Sequence, residues 1–171
     1  MSKIKSKGFT VLSIFPTTRS FGFVLFESPQ SPLDWGIRET TRKSFGVALE
    51  SARKLMLRHH PDVLVIEDVT ETGVRRGVPV RRFYRGVVHV AESLGITVER
   101  VTRTDIKKAY SHVGARNKHE IAMATATEIE AFRSLLPVKR NGWRTEDRRM
   151  ALFDAASRGL TFYAKEAGRK S

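Results

Sequence analysis

The chain contains no cysteine, which removes disulfide bonds and thiolate-held metals from consideration. Unbroken apolar stretches are short, none approaching the ~20 residues that a helix needs to cross a bilayer. Acids are scarce as well: 18 Asp and Glu stand against 31 Lys and Arg, a net charge of +13 on 171 residues. An acid closing an apolar element therefore stands out in this composition. The surplus of cations points outward, since a small domain with this charge repels itself unless a polyanion screens it. Nucleic acid is the default polyanion, with ribosome attachment or an anionic lipid surface as the alternatives from charge alone. The opening Met1–Gly8 is basic and leads into a strand rather than an apolar leader, so a cytoplasmic location is expected.

The length suits one domain with its own core. Phe9 to Ile14 is a branched apolar run, continued to Phe15-Pro16, and reads as a buried strand. Phe21–Glu27 and Leu33–Glu39 supply two more, the three forming an antiparallel meander. Phe45–His60 carries Val47, Leu49, Ala52, Leu55 and Met56 at helical spacing. Pro61 closes that helix, and Val63–Glu67 makes a fourth strand ending in a carboxylate. Gly73–Pro79 reads as a loop or lid, Arg81–Leu94 as a helix, and Ile96–Val101 as a fifth strand. A short helix is expected at Asp105–Tyr110. A longer one is capped by Asn117, with Glu120 completing a capping box, and runs through Phe132. Thr145 is expected to cap the last helix, which carries Met150, Phe153, Asp154 and Leu160. The expected domain covers residues 9–164, between a basic N-terminal tail (1–8) and a basic, disordered C-terminal tail (165–171). A meander followed by alternating helix and strand is an α/β arrangement: a mixed five-stranded sheet, antiparallel and parallel, flanked by helices.

This order resembles the ribonuclease-H-like fold, and more narrowly the RuvC-type Holliday-junction resolvases. Ile14-Phe15-Pro16-Thr17-Thr18-Arg19 followed by Gly22-Phe23 is similar to that family's opening Ile-Asp-Pro-Gly-Ser-Arg and Gly-Tyr. Pro61-Asp62 through Ile66-Glu67 resembles its fourth strand. The resemblance implies magnesium- or manganese-dependent cleavage of branched DNA by two ions held on four carboxylates. It assigns Glu67 and Asp154 to two of those carboxylates, as metal ligands and catalytic groups. Phe15 and Ala151 stand where the other two belong. Asp68, Glu146 and Asp147 are possible replacements, although acids such as Glu146 and Asp147 in a helix's first turn also answer the helix dipole. Glu67 itself has a plainer reading, an acid at a strand end paired to an arginine. Phe15 either fills the space of lost ions or stacks on an exposed base.

Cations are better supplied than acids. Arg75, Arg76, Arg81, Arg82 and Arg85 flank the loop and helix after Glu67, with Tyr84 among them as a possible base-stacking ring. Lys107, Lys108, Arg116 and Lys118 make a second cluster, and Lys139, Arg140 and Arg144 a third. His59, His60 and His89 have no metal-ligand partners at useful spacing and are expected to be structural. The expectation is a homodimer acting on branched or four-way DNA, as a metal-dependent endonuclease with a remodelled centre. A non-cleaving DNA-binding relative and an RNA-processing protein of the same fold are the alternatives.

Overall fold

The computed structural model describes residues 8–39, 45–138 and 147–171. β1 (Val11–Pro16), β2 (Ser20–Ser28) and β3 (Ser31–Glu39) form the expected meander. β4 (Val63–Glu67) lies parallel to β1, and β5 (Thr97–Val101) parallel to β4, giving the order β3-β2-β1-β4-β5. β1 and β4 are buried along their whole lengths, as continuous apolar strands in the middle of a sheet covered on both faces should be. On one face lie α1 (Phe45–His59) and α2 (Val78–Ser93), packed on Leu12, Ile14, Leu64 and Ile66. On the other lie α3 (Arg103–Tyr110), α4 (Lys118–Glu128) and α5 (Met150–Arg169), packed on Val11, Phe15, Val24, Val63 and Val65. The alternation of side chains along β1 and β4 feeds both cores.

Helix α5 sets the position of the candidate site. Every residue from Met150 to Phe162 is buried, because the helix lies directly on the sheet. Gly22 makes this possible: a Cβ there would sit 2.2 Å from the carbonyl oxygen of Ala151. The Ser13 hydroxyl then donates to the carbonyl of Ala155 at 2.6 Å, tying α5 to β1.

Several boundaries differ from expectation for identifiable reasons. Pro79 lies in the first turn of α2 rather than in a loop, where its missing N–H costs nothing. α4 stops at Glu128, since Ile129 takes an extended backbone, and a 3-10 turn follows over Glu130–Leu135. That break sends both Ile129 and Phe132 into the core. Asn117 does cap α4 by accepting from the Glu120 N–H, but the Glu120 carboxylate reaches the Arg116 N–H instead of closing the box. The C-terminal segment is not a disordered tail: α5 continues to Arg169, and Lys165 bonds Asp105 at 3.0 Å. Thr145 and residues 1–7 lie outside the described residues. His59 bonds Asp34 at 2.9 Å, in keeping with a structural part. Among the described residues no helix is long and apolar enough to cross a membrane.

Candidate functional site

The register of β1 against β4 pairs Val11 with Val63 and Ser13 with Val65, so Phe15 and Glu67 end adjacent strands at the same level. α5 passes over both and contributes Asp154 and, one turn later, Arg158. The fold thus gathers the two acids and the phenylalanine singled out in the sequence.

Glu67 is 1% exposed. Arg76 grips it with two bonds, Nε to Oε2 at 2.9 Å and Nη2 to Oε1 at 2.6 Å. The Tyr84 hydroxyl donates to Oε2 at 3.2 Å, and Arg158 Nη2 lies 3.4 Å from Oε1. Burial alone would push this carboxyl up; the Arg76 bonds, the Arg158 and Arg76 charges and the Tyr84 bond outweigh it and hold the group below the usual carboxylate range. Burial, and then the Glu67 charge, push the Tyr84 phenol up, which keeps it a proton donor. The plainer reading of Glu67 as an arginine-paired acid therefore describes its surroundings. Tyr84 is 4% exposed, so it is a core residue bonded to Glu67 and not a base-stacking platform.

Asp154 faces Lys118 Nζ at 3.0 Å and Arg158 Nη1 at 3.9 Å, and its carbonyl accepts from Arg158 Nη1 at 3.0 Å. Phe15, 6% exposed, carries three cations over its ring. Arg158 lies 4.4 Å, Arg76 5.4 Å and Lys118 6.0 Å from the ring centroid. Each is within range of the attraction between a cation and an aromatic face.

Above this floor opens a cleft of about 590 Å³. Arg75, Arg76, Arg103, Lys107, Arg116, Lys118 and Arg158 line it, against Asp154 as the one lining carboxylate among the described residues. The structure thus brings Arg75 and Arg76 from the first basic cluster together with Lys107, Arg116 and Lys118 from the second. Other candidates lie elsewhere. Arg81 supports the Arg76 carbonyl through Nε at 3.0 Å and, with Arg85, borders a separate groove. Arg82 stacks over Phe45 at 5.5 Å, and Lys108 is exposed outside the cleft lining. Asp68 is turned into a local bend, accepting from the Thr70 N–H and hydroxyl. Asp147 accepts from the Arg149 N–H and pairs with its guanidinium at 2.9 Å just ahead of α5. It does not line the cleft. Glu146, Lys139, Arg140 and Arg144 lie outside the described residues.

Sequence reasoning missed Arg158 and Arg103. Arg158 had left a signal: it is the one charged residue between Asp154 and Lys165, and it stands four residues after Asp154, hence on the same helix face.

Among the described residues, the donor set does not fit a pair of magnesium or manganese ions. Such ions need several oxygen ligands, whereas Phe15 and Ala151 offer no side-chain oxygen. Both Glu67 oxygens are engaged by Arg76, and two further cations stand against Phe15 and Asp154. Among the described residues no three His, Cys, Asp or Glu side chains come close enough together to hold a metal. The electrostatic sign of the floor is that of an anion site.

No family model matches the chain, and no curated protein does. Solved structures do. A structure of Thermus thermophilus RuvC superposes with a TM-score of 0.68 at 18% identity, covering 92% of this chain and 96% of that one. T. thermophilus RuvC in complex with a Holliday junction substrate gives 0.66 at 18% identity, covering 94% and 97%. The yeast mitochondrial Holliday junction resolvase Ydc2 gives 0.63 at 14% identity, covering 95% of this chain and 80% of its own. The chain has the ribonuclease-H-like fold of these structures.

Proposed function

We propose that this protein binds branched DNA, four-way junctions included, through backbone phosphates, and that the centre beneath the cleft does not cut. Of the expectations raised by the sequence, this is the non-cleaving one. One observation carries it: the floor on which a resolvase-like centre would assemble ions is already held by arginine and lysine, while cations dominate the walls. The solved relatives that act on Holliday junctions support branched DNA as the partner. A twofold junction favours a twofold protein, so the binding species is proposed to be a homodimer.

Fluorescence anisotropy with a labelled four-way junction, a duplex of equal length and a structured RNA tests this, with chelator or with magnesium and manganese. Denaturing gels of the same samples report strand breaks, and light scattering reports the assembly. The reading requires preference for the junction, no dependence on metal, and intact strands. Metal-dependent nicks that vanish in Glu67→Gln and Asp154→Asn would instead establish the endonuclease. Preference for RNA over both DNAs would establish the RNA alternative.

A further inference from the structure

The cations over Phe15 have the features of a receptor for one anion. Arg158 is buried in α5, its side chain 6% exposed, and its guanidinium is poorly satisfied. Among the described residues Nε has no hydrogen-bond partner and Nη2 is a long 3.4 Å from Glu67, while Nη1 donates to the Asp154 carbonyl at 3.0 Å and lies 3.9 Å from its carboxylate. A buried group with five donors is seldom left so underused. Phe15 attracts the cations by its ring face without accepting any of their hydrogen bonds in the manner of a carboxylate. Arg76 and Lys118 reach the same ring from the other walls, with side chains 26% and 47% exposed. Among the described residues, they and Arg158 carry three positive charges against the two of Glu67 and Asp154. The residual single charge matches one phosphodiester.

We propose that this floor is a receptor for a single backbone phosphate, with Arg158, Arg76 and Lys118 supplying the positive charge. The inference rests on the DNA-binding reading above and adds which group of the DNA is gripped, and by what. Since the charge comes from side chains, magnesium competes with the protein for phosphate instead of recruiting it.

The test crosses protein variants with DNA variants. A four-way junction carrying a single uncharged methylphosphonate is moved phosphate by phosphate around the branch point, and its affinity for the parent protein, Lys118→Gln and Arg158→Gln is measured. Lys118 lies at the exposed lip, so its variant leaves the buried Glu67–Arg76 pair intact even if Arg158→Gln disturbs folding. At one position, neutralising the phosphate and substituting Lys118 should each weaken binding about tenfold, the size of one charge-assisted contact. Combined, they should cost little more than either alone, because they remove the same contact. Additive losses at every position would overturn the receptor while leaving junction binding standing. A parent protein that ignores junctions would overturn both readings. Tighter binding on adding millimolar magnesium at constant ionic strength would also overturn the receptor.

Discussion

Replacing Arg76 with glutamine removes the bidentate partner of Glu67 and leaves the carboxylate buried in place. Breaking a buried ion pair from one side costs about 3–5 kcal/mol. Two features of this site reduce that figure. The Arg76 side chain is 26% exposed, so water can follow into its space, and Arg158 stays 3.4 Å from the same carboxylate. A loss of about 2–3 kcal/mol is therefore expected, lowering the melting temperature of a chain this long by roughly 4–12 °C. Adding Glu67→Gln to the same chain replaces an unpaired charge by a neutral amide and should recover most of the loss. Denaturant unfolding followed by circular dichroism measures the parent, the single variant and the double. The reasoning fails if R76Q lies within about 0.5 kcal/mol of the parent, or if the double variant is less stable than R76Q.

Acid should expose the same pair. Glu67 is held below its ordinary value of 4.5, so its contribution is full above that pH and is lost as pH falls through the lower folded value. Unfolding measured across the acid range should show the parent losing stability there and E67Q losing less. Phe15→Asp puts a carboxylate among Arg158, Arg76 and Lys118, where it should pair with them. Magnesium should then neither raise the melting temperature nor produce cleavage, as thermal shift and gels would show. Gly22→Ala drives a methyl into the Ala151 backbone at 2.2 Å. It should cost about 1–3 kcal/mol or more, readable as a fall in melting temperature. Junction affinity plotted logarithmically against salt should fall with a slope of roughly −4 to −6, and Arg116→Gln should flatten it by about 1.

Much of this was legible from residue order. Continuous apolar runs at Val11–Pro16 and Val63–Glu67 marked the central strands, because a strand covered on both faces has nothing else to offer. The meander followed from the same patterning, and the resemblance to the resolvases singled out the two acids. The partners of those acids were not legible. Arg76 reaches Glu67 across a nine-residue interval through a loop, and no periodicity relates a loop arginine to a strand end. Tyr84 looked available for a base because its neighbours are arginines, yet on α2 it points inward, toward Glu67. The break after Glu128 was invisible for a similar reason: Ile129 and Phe132 fit a helical stripe in sequence, and only the core they enter requires the chain to turn.

The contact at Gly22 bears on more than stability. With no side chain between β2 and the Ala151 backbone, and with the Ser13 hydroxyl fastening Ala155, the helix carrying Asp154 and Arg158 cannot slide over the sheet. The part of the floor that α5 supplies is therefore fixed against the sheet. If the proposed junction binding holds, the DNA must then do the bending, and discrimination among branched DNAs would rest on how cheaply each one distorts to present a phosphate there.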